Sequence, residues 1–84
     1  MKGMISVISF KIKLDSVDKV KDFIKKTFNQ GYNIDITSDR YVIDGKSIMG
    51  IFTLDLSKEL NVICHSDDVD EVDAFKETIK DYIV

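Results

Sequence analysis

The alternation of apolar and polar positions divides this chain into segments of two kinds. Apolar residues occur at every second position in residues 10–14, 34–43 and 60–64, which is the period of half-buried strands. They recur at helical spacing in residues 17–28 and 69–83, and residues 47–54 form a shorter apolar run. The predicted order is β-α-β-β-α-β-α. It indicates an α+β fold, in which a four-stranded antiparallel sheet carries three helices on one face.

The first strand is predicted over residues 4–14 with an irregular start. The apolar positions from Phe10 to Leu14 alternate with lysines, whereas Ile5 and Val7 are out of phase with that set. Either a β-bulge lies near Ser9 or the first residues fray.

The first helix has clear signals at both ends. Asp15 and Ser16 are favourable N-cap residues, and Gly31 is a plausible C-terminal stop. The apolar stripe between them consists of Val17, Val20, Phe23, Ile24 and Phe28.

Residues 34–43 predict a β-hairpin with Ser38-Asp39 as its two-residue turn. That turn would place Thr37 opposite Arg40, Ile36 opposite Tyr41 and Ile34 opposite Ile43. Apolar residues would then meet on one face of the hairpin, which is how strand register is usually fixed.

The remaining segments predict two helices and a strand. Ser47 can cap a short helix that runs through about Leu54, and residues 60–64 form the fourth strand. Ser66 and Asp67 can cap the last helix, whose first turns are acidic. Its apolar stripe consists of Val69, Val72, Phe75, Ile79 and either Tyr82 or Ile83.

Length and composition favour a single domain over residues 1–84 that needs one well-formed core. The net charge of −3 argues against a nucleic-acid partner, because such partners select basic surfaces. Residues resembling a secretion signal or a membrane span are absent from the sequence, so we expect a cytoplasmic protein without membrane contact. Cys64 is the one cysteine, which excludes an intramolecular disulfide.

The residue types that carry catalysis are sparse. His65 is the single histidine and precedes Asp67, Asp68 and Asp70, but this spacing matches no recognised metal-ligand pattern. Cys64 alternates with Val62 and is predicted to be buried. We therefore expect no enzyme activity, no metal and no cofactor. The lysines of the first helix are expected to form a solvated face.

The segment Lys46-Ser47-Ile48-Met49-Gly50 resembles the regulatory-serine motif of HPr, the phosphocarrier of the bacterial sugar phosphotransferase system. The resemblance extends from about Phe10 to the C-terminus and is strongest in residues 41–56. It implies the open-faced β-sandwich of that family, and it implies that Ser47 both caps the second helix and is phosphorylated by an ATP-dependent kinase. It also implies a docking surface at Ile48, Met49 and Phe52 bordered by Lys46, with Ile51 and Leu54 in the core.

The resemblance fails at the start of the first helix. The family has a Gly-(Leu/Ile)-His-Ala-Arg-Pro run there, and its histidine relays the phosphate. This chain continues instead from Leu14 through Asp15-Ser16-Val17-Asp18-Lys19, without histidine, arginine or proline. An aspartate such as Asp18 would repel phosphate, and Ser16 has no adjacent base to activate it.

These features lead to a functional expectation with two alternatives. The expected function is a non-catalytic HPr-like regulatory or binding protein that docks through the Ser47 helix and is switched by phosphorylation. Its partners would be an HPr serine kinase, phosphotransferase-system components or a catabolite-control regulator. One alternative is a phosphocarrier that uses a non-standard residue such as His65. The other is a scaffold whose ligand is unrelated to sugar transport. For the residues themselves, the structural interpretation is that Ser47 is only a helix cap and that Ile48, Met49 and Phe52 are core.

Overall fold

The computed structural model describes residues 7–84 and contains the predicted elements in the predicted order. A single turn of 3-10 helix follows the last helix. The elements are β1 (Ile8–Ile12), α1 (Val17–Phe28), β2 (Ile34–Ser38), β3 (Tyr41–Asp44), α2 (Ile48–Phe52), β4 (Leu60–Cys64), α3 (Val69–Thr78) and the 3-10 turn (Lys80–Tyr82).

The four strands form one antiparallel sheet in the order β1-β4-β2-β3. Central strand β4 places Cys64 opposite both Ile8 of β1 and Ile34 of β2. Alternate strand residues turn inward and are buried, and the helices cover that face of the sheet. The architecture is therefore the predicted α+β open sandwich.

Aromatic side chains join the two layers of the core. The Phe75 ring of α3 lies 6.5 Å from the ring centroid of Phe10 on β1 and 6.2 Å from that of Phe23 on α1. Phe23 and Phe75 are almost completely buried. Truncating a phenylalanine in such a position typically costs about 3–5 kcal/mol, so this cluster fixes how α1 and α3 sit on the sheet.

The register of β1 is continuous where the structure describes it. Residues Ile8 to Ile12 pair in sequence with Cys64 to Leu60, so this stretch contains no bulge at Ser9. Ile8 packs against the core, whereas Val7 is exposed. The prediction for residues 4–6 lies outside the described residues.

The predicted hairpin turn is wrong by one residue. The turn is Asp39-Arg40 rather than Ser38-Asp39, and Ser38 faces Tyr41 while Ile36 faces Ile43. Asp39 adopts a φ of 54°, a left-handed conformation that aspartate tolerates better than most residues. Ile34, Ile36 and Ile43 stay on their predicted face, because the turn moves by one residue and the pairing therefore shifts by two. The predicted contact of Tyr41 with Ile36 is wrong: Tyr41 lies beside the turn and is exposed, whereas Ser38 opposite it is buried.

Helix ends differ slightly from the predictions. Ser16 is the N-cap of α1, as expected, but α1 ends at Phe28 with Asn29 as its C-cap, before Gly31. Helix α2 ends at Phe52 rather than near Leu54. The apolar stripes are also narrower than predicted, because Val17, Phe28 and Val69 are exposed.

The last helix is capped one residue later than predicted. Asp68 is the N-cap of α3, and its carboxylate accepts a hydrogen bond from the Glu71 amide at 3.1 Å. Ser66 contacts the cap and the first turn instead: its hydroxyl accepts from the Asp68 amide and donates to the Glu71 carboxylate. The serine therefore supports the cap without being it.

Within residues 7–84, none of the helices combines the length and the apolar character that a membrane span requires.

Candidate functional site

Ser47 begins helix α2 through a side-chain cap. Its hydroxyl accepts a hydrogen bond from the Gly50 amide at 3.1 Å, and its carbonyl accepts from the Ile51 amide at 3.1 Å. Ser47 has an extended backbone conformation and is half-buried. The capping part of the sequence interpretation is therefore observed directly.

The turn before Ser47 is held by its own polar groups. The Asp44 carboxylate accepts from the Lys46 amide at 2.9 Å, while the Asp44 carbonyl accepts from the Ser47 amide at 3.0 Å. The Lys46 ammonium donates to the Gln30 carbonyl at 2.9 Å, just beyond the C-terminal end of α1. Lys46 thus ties the start of α2 to α1.

Gly45 is pressed against the sheet at this turn. Its amide donates to the Ile34 carbonyl at 2.7 Å, and a Cβ built at Gly45 would lie 2.8 Å from that carbonyl oxygen. The Gly45 carbonyl accepts from the buried Thr27 hydroxyl at 2.9 Å. A side chain at Gly45 would therefore push the turn away from β2.

Gly50 permits α2 to approach β3 closely. A Cβ at Gly50 would clash with the Cγ2 atom of Ile43. Both glycines near Ser47 therefore have packing reasons to be glycine. The start of α2 is fixed by the tertiary fold as well as by its cap.

Helix α2 presents apolar side chains on two sides. Ile51 is fully buried and Leu54 nearly so, as predicted. On the other side Met49 is 76% exposed and Phe52 is 40% exposed, while Ile48 is half-buried against the core. We call Ile48, Met49 and Phe52 the α2 surface. Ile51 and Leu54 already anchor this short helix in the core, so the exposed side chains of Met49 and Phe52 are not required to hold it there.

A shallow apolar cavity of about 370 Å³ lies beside Phe52. It is lined by Val17 of α1 and by Leu56, together with the polar residues Asp15, Ser16 and Ser57. Sequence reasoning missed Val17 and Leu56 as neighbours of the α2 surface. The four-residue spacing from Phe52 to Leu56 was an available signal, whereas the approach of Val17 depends on how α1 packs.

The rim of this cavity on α1 carries an ion pair. The Lys19 ammonium lies 2.7 Å from the Asp15 carboxylate, and this hydrogen bond lowers the pKa of Asp15. Asp15 therefore remains an anion at neutral pH, which disfavours a phosphoryl group at the start of α1.

His65 follows the last residue of β4, beside a cavity that also reaches Asp44 of the turn before Ser47, and its ring does not bond the acidic residues that follow it. Its Nε2 atom is 2.8 Å from the Asp35 carboxylate on β2, whereas Asp67, Asp68 and Asp70 are not its partners. A cavity of about 490 Å³ there is lined by Asn33, Ile34, Asp35, Asp44 and His65. Two carboxylates, those of Asp35 and Asp44, line it and would repel a phosphate.

The buried thiol is not placed for nucleophilic chemistry. Cys64 is fully buried, as predicted, and its burial raises the pKa of the thiol to about 11. The neighbouring Tyr32 hydroxyl is buried, which raises its pKa, and has no hydrogen-bond partner among residues 7–84. Because a thiolate is the reactive form, Cys64 serves as core.

Among residues 7–84, no three His, Cys, Asp or Glu side chains are grouped so that they could hold a metal ion.

Comparison with solved structures finds phosphocarrier proteins. HPr-C-His from Thermoanaerobacter tengcongensis has a TM-score of 0.69 at 21% identity, over 89% of this chain and 91% of that chain. HPr from Bacillus anthracis str. Ames has a TM-score of 0.66 at 17% identity, over 87% and 96% of the two chains. A mycoplasma histidine-containing phosphocarrier protein has a TM-score of 0.67 at 21% identity, over 90% and 93%.

No protein-family model matches the chain, and no curated protein matches it. At these identities the solved structures establish the arrangement of the backbone. The chain therefore has the fold of HPr phosphocarrier proteins.

Proposed function

We propose that this chain is a non-catalytic, HPr-like regulatory protein that binds other proteins through the α2 surface and is switched by phosphorylation of Ser47. The observation that carries this proposal is the exposure of Met49 and Phe52 on a helix whose opposite side is buried. Exposed apolar side chains grouped in this way commonly mark protein-binding sites. Methionine also adapts its shape to different partners.

The start of α1 supports the regulatory half of this proposal against a phosphate relay. The Leu14–Lys19 segment supplies carboxylates and a serine where a relay needs a nucleophilic ring nitrogen. His65 hydrogen-bonds Asp35 near a second carboxylate, Asp44, which disfavours an incoming phosphate. A role without phosphate transfer fits both regions.

Phosphorylation of Ser47 would change the chemistry of the adjacent surface. A phosphate carries about −1.5 to −2 charges at pH 7. The bridging oxygen could still accept from the Gly50 amide, so α2 would keep its cap. The new charge beside Met49 would weaken contacts with an apolar partner and favour a partner that contributes a basic residue.

The proposal implies a defined set of partners. They are an HPr serine kinase, components of the sugar phosphotransferase system and a catabolite-control regulator, all proteins that meet this chain in the cytoplasm. The contacts would come from Lys46, Ile48, Met49 and Phe52, and no cofactor is involved. Lys46 is half-buried, and its ammonium donates to the Gln30 carbonyl.

Incubation with an HPr serine kinase and ATP tests the proposal. We expect intact-mass spectrometry to show one added phosphate and fragment spectra to place it on Ser47. The Ser47→Ala variant should lose the signal, while Ser16→Ala should keep it because Ser16 is the matched cap of α1. An unmodified protein under conditions that label an ordinary HPr would contradict the proposal.

Surface substitutions separate docking from the chemistry of the serine. Met49→Asp and Phe52→Asp should each raise the KM of the kinase at least about tenfold, because a charge replaces apolar contact at the binding surface. Val69→Asp is the matched control, since Val69 is an exposed apolar residue on α3. If the kinase has the same KM for Met49→Asp, Phe52→Asp and Val69→Asp, the α2 surface is not the docking site.

A further inference from the structure

The two edge strands of the sheet differ in how far their outward backbone groups are hydrogen-bonded. The outer edge of β1 is covered near its C-terminal end by the last residues of the chain. There the Lys13 amide donates to the Tyr82 carbonyl at 2.8 Å, and the Val84 amide donates to the Lys11 carbonyl at 3.1 Å. The opposite edge is strand β3, which pairs only with β2 among residues 7–84. Uncovered edges are templates for pairing with another strand.

The hydrogen-bond alternation in β3 shows which groups face outward. The Gly45 amide donates to the Ile34 carbonyl, so Ile43 and Tyr41 also direct their backbone groups toward β2. Val42 and Asp44 direct theirs away from the sheet. The Asp44 carbonyl accepts from the Ser47 amide, which leaves the Val42 amide, the Val42 carbonyl and the Asp44 amide for an additional strand.

The side chains along this edge carry a self-complementary pattern. Val42 is 67% exposed at the centre, with Arg40 two residues before it and Asp44 two residues after it. Neither Arg40 nor Asp44 forms a salt bridge with the part of the chain that the structure describes. Asp44 also lies directly opposite Asp35, a like-charge pair in which the Asp35 carboxylate already has the His65 ring as its partner.

We propose that β3 pairs with β3 of a second copy of this chain, antiparallel about a two-fold axis at Val42. In that register Val42 lies opposite Val42, and Arg40 of each copy lies beside Asp44 of the other. The Val42 amides and carbonyls bond reciprocally, as a two-fold interface requires. The two sheets then form one continuous eight-stranded sheet.

This surface is distinct from the α2 surface. Ile43 turns its side chain toward Gly50 of α2. The side chain of the preceding residue, Val42, therefore points to the opposite face of β3. The dimer therefore stands independently of the function proposed for Ser47. A contact of one four-residue strand is small, so we expect weak association.

Sedimentation velocity on the full chain tests this pairing, at low salt and up to about 1 mM protein, where a weak dimer is populated. We expect a concentration-dependent monomer–dimer equilibrium. Val42→Lys should raise its dissociation constant at least about tenfold by placing two ammonium groups together on the axis. Arg40→Glu should also weaken it, because like charges then face each other.

Val69→Lys is the control, since it makes the same change at an exposed valine on α3. Its dissociation constant should equal that of the unsubstituted chain. A chain that stays monomeric at every concentration would leave the edge to an extended segment of another protein and would overturn the proposal. A dimer that survives Val42→Lys would place the interface elsewhere and would overturn it equally.

Amide hydrogen exchange supplies a second measurement at single-residue level. Protection of the Val42 amide should rise with protein concentration, whereas protection of the Ile43 amide, which faces β2, should stay constant. Concentration-independent exchange at Val42 would contradict the pairing.

Discussion

Helices α1 and α2 both begin with a capping serine, but the tertiary contacts around the two serines differ. The Ser16 hydroxyl accepts from the Lys19 amide at 3.2 Å, and the Ser47 hydroxyl accepts from the Gly50 amide at 3.1 Å. The first start is exposed and is held by a local ion pair with Asp15. The second is packed against β2, β3 and α1. The same local signal therefore gives a solvated helix end in one place and a rigidly held one in the other.

The packing at the start of α2 bears on the docking role proposed for this helix. Met49 and Phe52 protrude from a helix whose preceding turn is fixed by Gly45, Thr27 and Lys46. Side chains presented from a fixed backbone lose less freedom on binding, which favours affinity. The difference between the two starts can be tested by loosening each of them.

Gly45→Ala should have the largest effect on stability. Its Cβ would meet the Ile34 carbonyl oxygen at 2.8 Å, and because that atom belongs to the backbone it cannot move aside easily. We expect a loss of about 2–3 kcal/mol in the free energy of unfolding, measured by urea denaturation. Gly31→Ala is the control, because nothing lies within 4 Å of a Cβ there. Similar losses in both variants would show that the tight approach of Gly45 has no energetic importance.

Thr27→Val should come next. The substitution keeps the shape of the side chain but removes the hydroxyl that bonds the carbonyls of Gly45 and Ile24, each at 2.9 Å. A buried carbonyl that loses its partner costs about 1–3 kcal/mol. Thr78→Val serves for comparison, since the Thr78 hydroxyl donates to the Phe75 carbonyl of its own helix. Equal costs would mean that Thr27 does not anchor the start of α2.

Ser47→Ala and Ser16→Ala should have smaller and similar effects. Each removes one capping bond to the third helical amide, which is worth about 1 kcal/mol. Thermal unfolding of the two variants measures this directly. A much greater cost for Ser47→Ala would show that its hydroxyl takes part in the tertiary anchoring and is more than a cap.

Asp22→Asn should have the smallest effect on stability but a clear spectroscopic one. α1 is held at its middle, because the Tyr82 hydroxyl donates to the Asp22 carboxylate at 2.5 Å and Lys26 donates to the same oxygen at 2.7 Å. This hydrogen bond raises the pKa of Tyr82 to about 12. In Asp22→Asn the pKa of Tyr82 should fall toward 10, which tyrosinate absorbance follows. An unchanged titration curve would contradict the contact.

The sign of the pH dependence follows from these directions. The folded-state pKa of Asp22 is lowered by its hydrogen bonds to Lys26 and Tyr82, so its contribution to stability is lost as the pH falls below the ordinary value of 3.8. The raised pKa of Tyr82 gives a contribution that is complete below about 10 and is lost as the pH rises through about 12. Asp22→Asn should flatten both limbs of the stability profile.

The sequence carried the element order and the inward-facing residues, because strand and helix periods are local properties of the chain. Ile34, Ile36, Val62 and Phe75 are all buried as their spacing predicts. The hairpin turn was predicted one residue too early because both turns place Ile34, Ile36 and Ile43 on the same face of the sheet. The left-handed conformation of Asp39 decided between them.

The site was only partly visible in the sequence for a different reason. The cap at Ser47 is local and was predicted, whereas the bond from Thr27 to Gly45 joins residues eighteen positions apart. The partnership of His65 with Asp35 spans thirty positions and likewise depends on strand register. Contacts of this kind follow from the tertiary fold and leave no periodic trace in the sequence.

The most direct test of the central claim is an NMR titration of the isotopically labelled chain with an HPr serine kinase. We predict amide shift changes centred on residues 46–52 and extending to Val17 and Leu56, which line the adjoining cavity. The surface around Asp35 and His65 should not change. Shifts confined to that surface, or no shifts at kinase concentrations that perturb an ordinary HPr, would contradict docking through α2.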